Sequence, residues 1–237
     1  LIAPSVTNTG SVRSDGGEII LAAGKSVELA NANSPDVRVQ ITAPDNQAVN
    51  LGQLIAQGGR IGIYGGLIRQ GGVVNANTAV RGENGKIVFK ATKDVTLEAG
   101  SSTTASGPTG GSISIQADTG RATIAGTVQA NGTQGKGGTI EVAGQQGVAV
   151  EPTARITANG TEGGSVTLTS TGGSVTVAAP VTADATVGRA GEIAVNAATT
   201  AALASTGQLS ASGGLGGGVV AVKGGSGVTL DVGSLVQ

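Results

Sequence analysis

Apolar and polar residues alternate along this chain in short bursts, and the bursts recur. Eight times a glycine is followed, two residues on, by Ile or Val and then, two further on, by a second large apolar residue. The glycines are Gly17, Gly59, Gly85, Gly111, Gly138, Gly164, Gly191 and Gly218. The apolar pairs are Ile19 with Leu21, Ile61 with Ile63, Ile87 with Phe89, Ile113 with Ile115, Ile140 with Val142, Val166 with Leu168, Ile193 with Val195 and Val220 with Val222. Strict period 2 predicts a strand with one face buried, and Lys90, Gln116, Asn196 and Lys223 fall on the other face. These paired columns are the expected core. First members are spaced 42, 26, 26, 27, 26, 27 and 27 residues apart. A period of this size marks a repeat architecture.

Two residues beyond each pair the side chain is small: Ala23, Gly65, Ala91, Ala117, Gly144, Ser170, Ala197, Gly224. That column predicts a crowded corner. A second strand follows it (Val27 and Leu29, Val95 and Leu97, Val148 and Val150, Val175 and Val177, Val228 and Leu230). A third precedes the next glycine (Val128 and Ala130, Ile156 and Ala158, Val181 and Ala183, Leu209 and Ala211). The third runs into Asn131-Gly132 and Asn159-Gly160, dipeptides that tolerate left-handed backbone. Three strands per repeat predict an all-β fold, a right-handed parallel β-helix (β-solenoid) with triangular coils of 26–27 residues. A stack of hairpins is the alternative. Seven coil-to-coil steps at about 4.8 Å give a rod of roughly 34 Å.

The 42-residue interval holds an insertion. The expected organisation is first coils over 1–29, an extra-helical insertion over 30–52 and a regular shaft over 53–237. Within the insertion Val37, Val39 and Ile41 alternate and Ala43-Pro-Asp-Asn46 reads as a turn. Ala48–Leu51 reads as returning chain, and the insertion is either a side hairpin or extra strand patching one face or a recognition excursion.

Composition sharpens this picture. Glycine makes up 43 of 237 residues, Phe and Tyr occur once each, and Trp, Cys, Met and His are absent. A wide core would lack filler, whereas a narrow core of stacked Val, Ile, Leu and Ala would not. In-register β-branched residues argue against disorder. Net charge is −1 with scattered cations, which gives no nucleic-acid footprint, and no apolar run is long enough for a stable membrane span. The chain begins with Leu and shows no signal peptide, so it reads as an internal piece of something longer.

Chemistry has little to work with. Without His or Cys the common nucleophile–base pairs cannot be built and zinc sites are disfavoured, so no catalytic, metal or cofactor residues are expected. Carboxylate catalysis needs several acids on one face. Glu98 and Glu151 share a column two coils apart, Asp15 and Glu162 share another many coils apart, and Asp118 and Glu141 occupy different columns. Gly213–Gly218 is followed by alternating Val220-Ala-Val222, so it reads as a coil turn rather than a phosphate loop. Asn131-Gly-Thr133 and Asn159-Gly-Thr161 are candidate N-glycosylation sites, with turn chemistry as the plainer reading. Arg81-Gly82-Glu83 departs from the integrin-binding Arg-Gly-Asp by one methylene. Tyr64 faces outward.

Three stretches carry a more specific signal: Ser11-Val-Arg-Ser-Asp-Gly-Gly-Glu-Ile-Ile-Leu-Ala-Ala-Gly-Lys-Ser-Val-Glu-Leu29, Ala48-Val-Asn-Leu-Gly-Gln-Leu-Ile-Ala-Gln-Gly-Gly-Arg-Ile-Gly-Ile-Tyr64 and Gly71-Gly-Val-Val-Asn-Ala76. They resemble the filamentous haemagglutinin family, the large exoproteins of bacterial two-partner secretion systems. The resemblance implies a β-helix exported through a dedicated outer-membrane pore and secreted or displayed on a Gram-negative cell surface. The family's secretion domain carries Asn-Pro-Asn motifs and this chain has no Asn-Pro. Residues 1–29 are therefore expected to adjoin the end of such a domain, with the pore engaged by a region outside the segment. The expected function is that of a shaft: rigid extension in an adhesin-like exoprotein, with a host receptor or glycan as further partner. A delivery stick for a contact-dependent toxin and a carbohydrate-binding or polysaccharide-degrading β-helix are the alternatives.

Overall fold

A computed structural model describes residues 1–24, 46–80 and 84–237, and every element in them is a strand. The strands form three nine-stranded sheets in which each strand pairs, parallel, with the equivalent strand of the neighbouring coils. The chain visits the first, second and third sheet in turn, so the sheets are the three faces of a β-solenoid. First-face strands such as Thr139–Gly144 have six residues, while second-face and third-face strands such as Gly147–Val150 and Arg155–Thr157 are shorter.

Alternation explains which residues fill the interior. In Lys86–Ala91 the residues Ile87, Phe89 and Ala91 point inward and are sealed from solvent, while Lys86, Val88 and Lys90 lie on the outer side. The first column of the pairs stacks Ile19, Ile61, Ile87, Ile113, Ile140, Val166 and Ile193, all buried. In the second column Leu21 lies in register with Ile63, and the sole Phe, Phe89, stands between Ile63 and Ile115. Val142 follows Ile115, Leu168 follows Val142, and Val195 follows Leu168. Leu21, Val142 and Leu168 are each closed off from solvent, with a large apolar neighbour on the coil that follows each of them. Each buried Ile, Leu or Val of these columns contributes on the order of 1.5–3 kcal/mol. The last pair departs from the expected core. Val220 and Val222 are only partly buried, although they pack against the same core, and their strand is the last of its sheet among the described residues. The small-residue corner stacks in register from Gly65 to Gly224.

The repeated glycine is a spacing device. A β-carbon on Gly111, Gly138, Gly164, Gly191 or Gly218 would collide with the carbonyl oxygen of the equivalent glycine one coil earlier. That oxygen accepts the amide of the residue after the glycine: Thr139 N donates to Gly111 O at 3.0 Å and Ser165 N to Gly138 O at 2.9 Å. None of these glycines has a positive φ. Gly132 and Gly160 also lack one, which corrects the left-handed reading of Asn131-Gly132 and Asn159-Gly160. There too a β-carbon would strike backbone atoms, those of Lys136 and Glu162.

The second face shows a further difference from the sequence reading. Val27 and Leu29 lie outside the described residues. The strand that pairs with both Val6–Asn8 and Leu67–Gln70 is Gln47–Asn50, from the end of the segment read as insertion. Val37, Val39, Ile41 and the Ala43–Asn46 turn, Asn46 excepted, lie outside the described residues, as do Arg81, Gly82 and Glu83.

That strand also carries a core feature that hydrophobic patterning overlooks. Asn8, Asn50 and Gln70 stack in one buried column, each amide bonded to the next: Asn8 Nδ2 donates to Asn50 Oδ1 and Asn50 Nδ2 to Gln70 Oε1, both at 2.7 Å. Gln70 Nε2 finishes the ladder on Gly72 O at 2.9 Å. From the next coil onward the column is apolar, with Leu97, Ile124, Val150 and Val177.

Candidate functional surface

The acids stay apart on the folded chain. Glu98 pairs with Arg69 on the second face, Asp15 pairs with Arg13 at 2.7 Å, and Asp118 accepts from Gln116 Nε2 at 2.6 Å. Glu98 and Glu151 are separated by the coil of Ala125, because Leu97, Ile124 and Val150 are in register. No group of three acidic residues suited to a metal ion occurs among the described residues. Gly213–Gly218 leads straight into the strand Val219–Gly224, with no helix at its end to cradle phosphate.

Asn131 and Asn159 belong to a second ladder, at the corner between the third and first faces. Asn77 Oδ1 accepts the amide of Ser106 at 2.6 Å, and Ser106 Oγ accepts that of Asn131 at 3.0 Å. Asn131 Oδ1 accepts Asn159 N at 2.9 Å, Asn159 Oδ1 accepts Asp184 N at 2.8 Å, and Asp184 Oδ1 accepts Ser212 N at 2.8 Å. A short acceptor side chain at this corner thus ties each coil to the next. The repeat of Asn, Ser or Asp at these positions is the sequence signal for it.

The most differentiated outer surface lies on the first face. Lys86 is in register with Arg60, and Lys90 with Tyr64. The next strand places Ser112 and Ser114 beside Lys86 and Val88, and the one after brings Thr139 and Glu141. Together they line an open trough of about 490 Å³. The Tyr64 ring lies along its own strand over Gly62, so a half-buried aromatic surface borders the trough. A shallower groove of about 350 Å³ on the second face is bordered by the Arg69–Glu98 pair and Asp94.

A solved structure shares this architecture. The chain is similar to the HMW1 secretion domain from Haemophilus influenzae. The likeness has a TM-score of 0.68 and 25% identity, and covers 99% of this chain and 61% of that one. No family model matches the chain, and no curated protein does. The chain thus spans about three-fifths of the HMW1 secretion domain's length. The neighbour is described as a secretion domain, not as an enzyme. Nothing in the geometry of the described residues assembles a nucleophile, a base and an oxyanion site.

Proposed function

We propose that this chain is a rigid β-solenoid section of an exported, surface-displayed exoprotein of the two-partner type, and that its work is extension rather than chemistry. The observation that carries the reading is the coil-on-coil stack, nine parallel strands in each of three sheets among the described residues, in a chain similar along 99% of its length to a secretion domain. Stacked parallel coils share nearest-neighbour interfaces along the whole axis, which favours a stiff rod over a hinged one. Absence of Cys fits passage through a pore as an extended chain. The rod supports an adhesin-like role, holding distal regions away from the cell.

The same likeness favours a second role. The sequence reading puts the pore-engaging region outside this segment. Similarity to a secretion domain along nearly the full chain instead favours this stretch as part of the region that meets the outer-membrane pore. Antibodies raised against the chain test its export on intact and on permeabilised source cells. Surface or supernatant labelling that disappears when the cognate outer-membrane pore gene is deleted is expected. Labelling confined to the cytoplasm overturns the proposal. Co-purification of the chain with the pore protein then separates engagement from extension.

A further inference from the structure

We propose that Asn131-Gly132 and Asn159-Gly160 are deamidation sites gated by folding. They are sealed in the stacked solenoid and reactive in the unfolded chain, and so keep a covalent record of time spent unfolded. In an Asn-Gly dipeptide the glycine nitrogen attacks the asparagine Cγ, ammonia leaves, and a five-membered succinimide ring closes. Water then opens the ring at either carbonyl, giving aspartate or isoaspartate, in which the main chain runs through the side-chain methylene. Glycine in the second position favours the attack, because it has no β-carbon to hinder the nitrogen. The chain holds three such dipeptides, Asn84-Gly85, Asn131-Gly132 and Asn159-Gly160.

Ring closure needs the glycine N–H free to give up its proton and the amide side chain free to swing over it. At two of the sites both groups are held by one residue of the next coil. Asn159 donates its N–H to Asn131 Oδ1 at 2.9 Å and accepts from Gly132 N at 2.8 Å. Asp184 repeats the clamp one coil on, donating to Asn159 Oδ1 at 2.8 Å and accepting from Gly160 N at 3.1 Å. Thr182 Oγ1 adds a second hydrogen bond to Asn159 Oδ1, at 2.8 Å. Gly132 and Gly160 are buried, which keeps hydroxide from their amides. Neither glycine can give way to a slower residue, since backbone atoms of Lys136 and Glu162 occupy the place of a β-carbon. The third dipeptide lies outside the ladder. Asn84 is exposed, and its Oδ1 accepts the Thr109 hydroxyl at 2.7 Å rather than a backbone amide.

The two products differ in what they do to the coil. Asp184 shows that a carboxylate can serve in this ladder, since its Oδ1 accepts Ser212 N at 2.8 Å. An aspartyl product at position 131 therefore keeps its bond from Asn159 N. An isoaspartyl product lengthens the main chain by one methylene and moves the Gly132 N–H off Asn159 O, so the stack loses its register there.

The test incubates the whole chain at mildly alkaline pH, once folded and once in guanidinium chloride. Mass spectrometry follows each Asn-Gly peptide, and enzymatic carboxyl methylation scores isoaspartate. In denaturant all three sites should react alike. In the folded chain Asn131 and Asn159 should slow about tenfold or more, as groups released only by local opening do, and Asn84 should react ahead of both. On dilution from denaturant, isoaspartyl chains should be depleted from the protease-resistant fraction, whereas the Asn131→Asp variant should refold like wild type. The proposal fails if Asn131 and Asn159 deamidate as fast folded as unfolded, or if Asn84 is protected as strongly as they are. It fails equally if isoaspartyl chains refold as readily as unmodified ones, or if Asn131→Asp does not refold. It goes beyond the extension reading and does not depend on it, since surface labelling and these rates can fail separately.

Discussion

The ring of Tyr64 lies across the α-carbon of Gly62, two residues earlier on the same strand. A β-carbon on Gly62 would collide with ring atom Cε2 and come within 2.9 Å of the phenol oxygen. A glycine in mid-strand weakens it, and here the aromatic ring covers the gap. The φ of Gly62 is not positive, so the backbone accepts alanine. Gly62→Ala should therefore lift the ring off the sheet rather than unfold the coil. The expected result is increased quenching of Tyr emission by acrylamide, with stability within about 1 kcal/mol of wild type.

The glycine column makes the opposite prediction. Gly138→Ala would drive a methyl group into Gly111 O and against the side chain of Ala130, 2.9 Å away. It would disturb the Thr139 N to Gly111 O bond, so a loss of roughly 2–4 kcal/mol is expected from overpacking and a weakened ladder. Gly10 is the control, because nothing lies within 4 Å of a β-carbon there. Gly10→Ala should stay within about 0.5 kcal/mol of wild type or gain slightly. Urea midpoints of the two variants decide it, and equal effects would remove the spacing argument.

Much of this is legible in the sequence because each coil restates it. The inward columns from Ile19 and Leu21 to Ile193 and Val195, the small corner and the glycine stack are all consequences of one period. Features that occur in only a few coils are harder to see. Asn8, Asn50 and Gln70 sit where a hydrophobic pattern expects apolar residues, although each is followed two residues on by glycine (Gly10, Gly52, Gly72). The first-face trough is hidden for another reason. Arg60 and Tyr64 meet Lys86 and Lys90 only across a 26-residue step, and outward columns show polarity more readily than the identity of neighbours. Position after the corner assigns Val27 and Leu29 to the second-face column. Ala48 and Asn50, which read as returning chain, hold that place.

The amide ladder predicts strong non-additivity. Asn50→Leu alone leaves the Gln70 carbonyl above it without its donor and takes from the Asn8 amide its shortest acceptor, leaving it Gly10 O and Gln53 O at 3.3 Å. Leaving buried partners unmatched should cost roughly 2–4 kcal/mol. Replacing Asn8, Asn50 and Gln70 together by Leu extends the apolar column that begins at Leu97. Gly10 O and Gly72 O would still accept the amides of Gln53 at 2.7 Å and Ser102 at 3.0 Å. The triple variant should therefore recover most of the loss. Thermal denaturation of the single and triple variants gives the comparison, and simple addition of three losses would contradict the ladder.

Arg13 and Asp15 give a pH signature. The hydrogen bond from the Arg13 guanidinium, at 2.7 Å, holds the Asp15 carboxyl below its ordinary value. A depressed carboxyl contributes stability that is present above the unfolded value of about 3.9 and is lost as pH falls through the folded one. The thermal midpoint of wild type should exceed that of Asp15→Asn slightly near neutrality and converge with it in acid. Both residues are exposed, so added salt should close the gap at any pH.

Thr103 supplies the converse of these losses, a substitution that should stabilise. It is wholly buried and stands in register between Val74 and Val128 on the third face. Its Oγ1 finds no hydrogen-bond partner among the described residues. A hydroxyl desolvated without compensation costs on the order of 1–3 kcal/mol. Valine has nearly the same shape, so Thr103→Val removes that cost without opening a cavity. It should raise the urea midpoint by the equivalent of about 1 kcal/mol at an unchanged slope. The reciprocal Val128→Thr, one coil on, introduces the same hydroxyl and should lose about as much. A destabilised Thr103→Val would mean that the hydroxyl has a bonded partner in solution, and that this column is not a purely apolar stack.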